Sequence, residues 1–308
     1  MKIILIIFII TCNCLAAAEP IVPIPLLVPY NSAKATLGKK LFFDPILSQD
    51  YTITCASCHD ISHGGADRVS HSIGVHGTQV IMNTPTVFNA VFNFSQFWNG
   101  RAATLSEQAL GPIHNPLEMG LPLREAAKRL EANPEYKATF FKITKHPTIS
   151  PDDIAQMIAE YEKTLITPNG KFDRYLRGQT RLSSDEMQGY ALFKTLGCVS
   201  CHNGVNVGGN SFQKMGAIIP IHHNPNIDDR YAITKKEWDK NIFKVPTLRN
   251  ISLTAPYFHD SSSRTLRDAV SKMGYNNLGL KLSKKEIDLL VTFLDTLTGE
   301  RPLQREQL

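Results

Sequence analysis

The spacing of apolar residues along the chain predicts helices. The clearest pattern lies between residues 283 and 298, where apolar side chains recur on one helical face at Ile287, Leu290, Phe293, Leu294 and Leu297. Gly299 follows directly and is typical of a helix end. Strict alternation of apolar and polar positions, which would indicate half-buried strands, is scarce. The pattern therefore predicts a mainly α-helical fold.

Capping residues mark where several helices begin. In a capping box, Ser or Thr is followed three residues later by Glu, and the two side chains bind each other's backbone N–H groups. Thr104 with Glu107, Ser183 with Glu186, and Ser283 with Glu286 fit this pattern. Ser150 before Pro151 is a further start signal, because proline is favoured in the first helical turn. We expect helices to begin at these four positions.

Turn residues indicate where the chain divides. The stretch Thr167-Pro168-Asn169-Gly170 predicts a turn, and we take it as the boundary between an N-terminal domain, 19–168, and a C-terminal domain, 169–308. Two long segments, 60–85 and 203–245, are rich in Gly, Asn and His and predict loops. Loops of this length usually carry a function.

The N-terminus has the pattern of an export signal. Its apolar run, residues 3–10, is too short to cross a bilayer. Lys2 precedes this run, and Leu15-Ala16-Ala17-Ala18 follows it as a small-residue cleavage site. We expect residues 1–18 to be a secretory signal peptide, and the mature protein to have no membrane segment. A short membrane anchor is the alternative.

Composition and charge narrow the class of protein. A length of 308 residues suggests two domains, and 43% hydrophobic residues with 20% charged residues are ordinary globular values. The formal net charge is +5, and no run of basic residues exceeds two. This mild, dispersed charge gives no support for nucleic-acid binding.

All four cysteines beyond the signal lie in two copies of one motif. The copies are Cys55-Ala56-Ser57-Cys58-His59 and Cys198-Val199-Ser200-Cys201-His202. The sequence C-x-x-C-H is the attachment signature of c-type haem, in which two thiols add to the porphyrin vinyl groups and the histidine reaches the iron. Disulfides, a zinc site or a thioredoxin-like pair would also use such cysteines, but none explains the histidine in both copies. We predict two covalent haems c.

A second repeat accompanies the two motifs. Pro85-Thr86-Val87-Phe88-Asn89 resembles Pro246-Thr247-Leu248-Arg249-Asn250, and a Thr-Leu pair follows each proline by nineteen residues, at Thr104 and Thr265. Trp98 and His259 occupy equivalent places, thirteen residues after the prolines. Equal spacing predicts an internal duplication, with two cytochrome-c-like domains that each hold one haem.

The iron ligands bear on function. His59 and His202 are the expected proximal ligands, and the sixth positions then decide between electron transfer and chemistry on a small ligand. Met273 stands after the second repeat on what we expect to be a loop, a common place for a methionine ligand. From position alone Met215 is a rival, and the choice stays open.

The chain also resembles a known family. The matching stretches include LGKKLFFDP (37–45), NTPTVFNAVFNFSQFWNGRA (83–102), TLITPNGKFDRYLRG (164–178), TLRNISLTAPYFH (247–259) and MGYNNLG (273–279). These resemble the bacterial di-haem cytochrome c peroxidases of the periplasm, whose superfamily also contains MauG-type oxidases of partner proteins. The resemblance implies periplasmic reduction of hydrogen peroxide with electrons from a reduced cytochrome c or a cupredoxin, by a homodimer.

The resemblance implies a role for each haem. The N-terminal haem, with His59, would be the peroxidatic centre, and the C-terminal haem, with His202 and Met273, would receive electrons. MauG-type proteins have a tyrosine in place of this methionine, so Met273 favours a peroxidase. Gln108 and Glu118 would be the catalytic polar pair, and Trp98 would lie between the haems. A di-haem electron carrier is the other alternative, although it would have no use for the polar pair.

The resemblance also implies further ligands. Asn83, Thr254 and Pro256 correspond to calcium ligands at the domain interface, through one side-chain oxygen and two backbone carbonyls. Many members hold the oxidised peroxidatic iron with a distal histidine that is released on activation. His76 matches that position best and His71 is a second candidate, although the loop around them departs from the family pattern.

Overall fold

The computed structural model describes residues 19–302, and the predicted signal peptide, 1–18, lies outside them. Within this range the fold is mainly helical, as predicted. The helices are α1 (Ser32–Phe43), α2 (Cys55–Cys58), α3 (Leu105–His114), α4 (Leu123–Ala132), α5 (Pro134–Thr144), α6 (Pro151–Glu162), α7 (Lys171–Leu176), α8 (Ser184–Thr195), α9 (Arg230–Thr234), α10 (Leu266–Leu278) and α11 (Lys284–Asp295). Two strands, β1 (Phe212–Lys214) and β2 (Ile242–Lys244), pair antiparallel.

The four predicted helix starts are confirmed. Ser150, Ser183 and Ser283 form complete capping boxes at α6, α8 and α11. Thr104 caps α3 by accepting a hydrogen bond from the Glu107 N–H group. The Glu107 carboxylate instead accepts from the N–H group of Ala103, one residue before the cap. Local hydrogen bonding therefore sets these boundaries, since each cap satisfies N–H groups that the first helical turn leaves free.

Two hydrophobic clusters form the core. The first draws on α1, α3, α4, α5 and α6, and the second on α7, α8 and α11. Each contains one close helix crossing at a glycine. A Cβ atom on Gly38 of α1 would lie 1.8 Å from the Met157 carbonyl oxygen of α6, and one on Gly189 of α8 would lie 2.0 Å from the Leu289 carbonyl oxygen of α11. Any side chain at either glycine would force the helices apart.

The first described residues pack on the second cluster. The Gly204 N–H group donates to the Pro20 carbonyl oxygen at 2.8 Å, and the Val22 N–H group donates to the Gly204 carbonyl oxygen at 3.3 Å. Ile21 is 1% exposed and belongs to the second cluster. Residues 20–24, which we call the N-terminal strap, therefore contact the C-terminal domain, although the sequence places them at the start of the N-terminal one.

The predicted loop at 203–245 is partly wrong. It contains β1, β2 and α9, and only the segments between them are irregular. Strands of three residues are too short to show an alternating pattern in the sequence, so the hydrophobic periodicity gave no sign of them. The segment 60–85 is irregular apart from a 3-10 turn at Val75–Gly77 and one bridge between Ile73 and Gln79.

The two halves of the duplication meet through matching contacts. The Asn83 N–H group donates to the His259 carbonyl oxygen at 2.9 Å, and the Lys244 N–H group donates to the Trp98 carbonyl oxygen at 2.7 Å. Asn83 and Lys244 stand two residues before the repeated prolines, just as Trp98 and His259 stand thirteen after them. The indole and imidazole rings also meet edge to face, with centroids 6.2 Å apart. The interface thus follows the repeat found in the sequence.

Candidate active site

The first C-x-x-C-H motif forms a short capped helix. Thr54 and Ser57 make a capping box around α2, and His59 follows at its C-terminal end. Nδ1 of His59 lies 3.2 Å from the Gly65 carbonyl oxygen, and burial lowers the pKa of the imidazole. The ring is therefore held neutral, with Nδ1 on the backbone and Nε2 available. This is the arrangement that a metal-ligating histidine needs.

The second motif is built differently. Cys198–Ser200 forms a 3-10 turn directly after α8, and His202 follows it. Burial lowers the pKa of His202 to about 4. Its Nδ1 is buried and has no hydrogen-bond partner of good geometry among the described residues. The nearby backbone of Val207 partly opposes the lowering of the pKa. A buried neutral imidazole of this kind also suits an iron ligand.

The four thiols fit haem attachment better than the alternatives. All four are free, and burial raises the pKa of Cys55 to about 12 and those of Cys58 and Cys198 to about 11. No disulfide is present in the part of the chain that the structure describes. No group of three or more His, Cys, Asp or Glu side chains between residues 19 and 302 could hold a metal ion. Buried thiols beside neutral histidines fit covalent haem.

One cavity, of about 240 Å³, brings most of the predicted site residues of the first domain together. The thiols of α2 and His59 line it, and so do Gln108 of α3, Glu118 and Trp98. The sequence places these residues up to 63 positions apart. The loop after α3 carries Glu118 back to the cavity, so one helix and its following loop supply both members of the polar pair.

Glu118 has the environment of a proton carrier. Burial raises the pKa of its carboxyl, and a hydrogen bond from Asn115 Nδ2 to Oε1, 2.7 Å long, opposes the shift together with the charges of Arg101 and His114. A carboxyl whose pKa is moved toward neutrality can both take up and release a proton. Gln108, in the same cavity, can only donate or accept hydrogen bonds.

Trp98 is fixed at the domain interface. Its Nε1–H group donates to the Asn83 carbonyl oxygen at 2.8 Å, and its ring lies against His259. His259 in turn stacks on Phe243, with ring centroids 4.1 Å apart. The tryptophan therefore belongs both to the cavity of the first domain and to the contact with the second.

The sequence analysis missed two buried titratable residues of the cavity. Glu162, near the end of α6, is 4% exposed, and its Oε2 has no hydrogen-bond partner. Burial raises its pKa to about 8. Lys244, at the end of β2, is 7% exposed. Extending the repeat by two residues would have flagged Lys244 as the counterpart of Asn83, whereas Glu162 reads as an ordinary polar residue of an amphipathic helix.

Neither candidate distal histidine lines the cavity in this structure. The side chain of His76 is 61% exposed, and its Nδ1 lies 3.6 Å from Oδ2 of Asp50. His71 is exposed, and its Nδ1 lies 3.2 Å from the Val80 carbonyl oxygen. For His76 to reach an iron within the cavity, the loop would have to rearrange. The assignment of His76 as a distal ligand stays a prediction.

Met273 lies on a helix, and the expected loop is wrong. The position of Met273 after the second repeat suggested a loop, but the Thr265 cap begins α10 and the helix continues to Leu278 before Gly279 ends it. Measured from the equivalent caps Thr104 and Thr265, Met273 occupies the place that Pro112 holds in α3. Pro112 lines the cavity of the first domain. Met215 directly follows β1.

The three proposed calcium ligands are partly brought together. Asn83 is buried, and its Nδ2 donates to the carbonyl oxygens of Pro256 at 2.8 Å and Phe258 at 3.0 Å. Thr254 ends a 3-10 turn, and its hydroxyl donates to the Ile251 carbonyl oxygen at 3.2 Å. Calcium would require the oxygen of the Asn83 carboxamide, whereas here its nitrogen faces the carbonyls. The calcium site stays a prediction.

Comparison with known proteins agrees with this geometry. The Di-haem cytochrome c peroxidase family profile matches residues 32–181, and the Cytochrome c profile matches residues 186–298. The cytochrome c551 peroxidase of Nitrosomonas europaea is 48% identical over 289 residues, which cover 94% of this chain and 86% of that protein. The cytochrome c peroxidase Ccp of Escherichia coli is 43% identical over 290 residues, covering 91% of this chain and 61% of the relative.

A solved structure shows the same fold. The crystal structure of a MauG-like protein associated with microbial copper homeostasis superposes with a TM-score of 0.79, at 27% identity, over 94% of this chain and 95% of that one. The chain belongs to the family of di-haem cytochrome c peroxidases, and it is a di-haem peroxidase with two haems c. Among residues 19–302, no helix combines the length and apolar character needed to cross a membrane.

Proposed function

We propose that the protein reduces hydrogen peroxide to water in the periplasm, with peroxide reacting in the N-terminal cavity and electrons entering at the C-terminal haem. One peroxide, two protons and two electrons give two waters, and two reduced carriers supply one electron each. The observation that supports this division is the contrast between α3 and α10. At equivalent positions α3 carries Gln108 and Pro112, whereas α10 carries Ala269 and Met273.

Glu118 performs the proton transfer in this proposal. It takes the proton from the oxygen of peroxide nearer the iron and returns it to the outer oxygen, which then leaves as water. The Asn115 amide holds the carboxyl by one oxygen, so the other is available for the proton. Gln108 orients peroxide through its amide. The raised pKa of Glu118 reduces the cost of holding the proton during the transfer.

Axial ligands divide the work between the domains. The haem irons, when bound, supply the electron transfer and the cleavage of the oxygen–oxygen bond. His59 and His202 are their proximal ligands in the proposal. Met273 would be the second ligand of the C-terminal iron, and such a ligand would raise the reduction potential and suit electron entry from a reduced cytochrome c or a cupredoxin. Trp98 lies between the two sites as a packing wall and electron path.

Three further assignments belong to the proposal. Asn83, Thr254 and Pro256 hold calcium at the interface, and two chains form a homodimer. His76 is a displaceable ligand of the first iron in the proposal. The loop that carries it is joined to the active site, since the Val75 N–H group donates to the Glu118 carbonyl oxygen at 2.8 Å. Movement of His76 toward the iron would therefore disturb Glu118.

Steady-state turnover of peroxide with reduced cytochrome c tests the function. We expect two cytochromes oxidised for each peroxide consumed. Two low-spin haems that do not react with peroxide at any level of reduction would identify a di-haem electron carrier instead. Similar potentials for the two haems, with oxidation of a partner protein, would favour a MauG-like oxidase, whereas widely separated potentials support the peroxidase.

A further inference from the structure

The cavity of the first domain contains a buried cation without a partner. Lys244 is 7% exposed and lines the cavity together with Cys55, Cys58 and His59. Burial lowers the pKa of Lys244 to about 8, and no carboxylate or hydrogen bond within residues 19–302 opposes that shift. Lysine is almost never buried unless it is paired, because a charged ammonium loses its hydration there.

The other buried cation of the same sequence stretch shows what is usual. Arg249, five residues later, is 1% exposed and fully satisfied. Its guanidinium pairs with Asp173 at 2.6 Å and donates to the carbonyl oxygens of Val205 and Val22. The fold therefore provides partners for a purely structural cation. Lys244, which lines the cavity, has none among residues 19–302.

The position of Lys244 points to a ligand of the first domain, although β2 belongs to the second. The backbone N–H group of Lys244 donates to the Trp98 carbonyl oxygen at 2.7 Å. This hydrogen bond holds the end of β2 against the N-terminal domain. The acidic residues that share the cavity, Glu118, Glu162 and Asp228, form no ion pair with it. Since these carboxylates do not pair with it, an anion that enters the cavity with a bound ligand would supply the partner that residues 19–302 do not.

We infer that Lys244 binds a propionate carboxylate of the haem attached at Cys55 and Cys58. A haem brings two carboxylates into its pocket, and a buried carboxylate needs a cation as much as a buried ammonium needs an anion. Lys244 is then a cofactor-binding residue contributed across the domain interface. It joins the second domain to the haem of the first. The inference rests on the proposed attachment of one haem at these two cysteines.

The pairing has a consequence for electron transfer. A cation at the propionate offsets negative charge near the iron and so favours the ferrous form. In Lys244→Gln we expect the ferrous-to-ferric ratio of this haem, at a fixed ambient potential, to fall at least tenfold, which is 59 mV for a one-electron couple. The second haem should change less than twofold. Lys244→Arg keeps the charge and should restore most of the ratio.

Spectroelectrochemical titration of the holoenzyme measures both haems in each variant. Lys214→Gln is the matched control, because Lys214 lies on the paired strand β1 with an exposed side chain and undergoes the same charge change. No shift in Lys244→Gln would overturn the inference, and so would an equal shift in Lys214→Gln or a shift confined to the second haem.

A crystal structure of the wild-type holoenzyme tests the contact without any variant. An Nζ-to-propionate oxygen distance of about 2.7–3.2 Å supports the inference, and a distance beyond about 4 Å overturns it even if Lys244→Gln does not fold. Mass spectrometry of the haem peptides separates the two proposals. A wild-type chain without haem at Cys55 and Cys58 would contradict the proposed function. Attached haem without the Lys244–propionate contact would contradict only the inference about Lys244.

Discussion

Helices α3 and α10 hold the same place in the two copies of the repeat, but their side chains suit different chemistry. Both begin at a threonine cap, and both follow a phenylalanine with a positive φ, Phe97 and Phe258. Four residues into each helix the first copy has Gln108 and the second has buried Ala269. One turn later Pro112 is matched by Met273. The duplicated scaffold thus keeps its threonine caps while two equivalent positions on one helix carry different side chains.

The largest expected effect tests the polar cavity of the first copy. Replacing Glu118 by Gln removes the proton carrier but keeps the hydrogen bond from Asn115, and we expect kcat/KM for peroxide to fall about 10²–10⁴-fold. Glu125→Gln is the control, because Glu125 is an exposed residue of α4. Steady-state kinetics with reduced cytochrome c provide the measurement. A fall of less than about threefold would remove Glu118 from the mechanism.

A second change converts the first copy toward the second. Pro112→Met places a thioether where Met273 stands in the other domain, and it restores the backbone N–H group that proline lacks. We expect a new low-spin haem signal and at least about a tenfold loss of peroxide turnover, since ligand exchange would then precede reaction. Pro112→Leu has similar bulk without sulfur. If the Pro112→Leu and Pro112→Met variants have the same spectrum and activity, positions 112 and 273 are not equivalent.

The buried carboxyl of Glu162 should make stability depend on pH. Burial raises its pKa to about 8, above the usual value near 4.5, so the unfolded chain ionises first. The free energy of unfolding should therefore fall as the pH rises through this interval, by up to about 1.4 kcal/mol per unit, and level off above pH 8. Glu162→Gln should flatten that slope.

Urea unfolding at pH 5, 6.5 and 8 measures the effect. Glu160→Gln is a control on the same helix, because the Lys163 hydrogen bond helps to lower the pKa of Glu160 and the carboxylate stays ionised across this range. Equal slopes in the wild type and Glu162→Gln would show that Glu162 does not titrate in the folded holoenzyme.

The smallest expected effect concerns the exposed loop. Because His76 is largely exposed, we expect His76→Ala to change turnover of the half-reduced enzyme by less than about twofold. If His76 ligates the oxidised iron, the same variant should be active without prior reduction. EPR spectra and peroxide turnover of the oxidised proteins decide this, with His71→Ala as the control. If the His76→Ala variant still needs prior reduction, His76 is not the ligand of the oxidised iron.

The sequence predicted those features that depend on local chemistry. The C-x-x-C-H motifs predicted two haems c, in agreement with the family, and Ser150, Ser183 and Ser283 located helix starts, because attachment and capping each need particular residues at fixed spacing. Features that depend on tertiary packing were missed or misplaced. Met273 was expected on a loop because of its position after the second repeat, whereas α10 continues through it to Leu278.

Burial across domains was also invisible in the sequence. Lys244 and Glu162 become unusual only when residues far apart in the chain exclude water from them. The exposure of His76 depends on how its loop folds, which no motif encodes. The position of the N-terminal strap likewise depends on contacts between Val22 and two residues far along the chain, Gly204 and Arg249.

The N-terminal strap has a consequence for how the molecule comes apart. Residues 20–24 pack on the second domain, the following residues form the first domain, and the chain then returns to the second. Two covalent connections therefore join the two domains. Arg177 and Arg249 hold the strap by its carbonyl oxygens at Ile24 and Val22. If one domain unfolds alone, it either releases the N-terminal strap or exposes the other domain's side of the interface. Such double tethering favours cooperative loss of both haem environments in one transition.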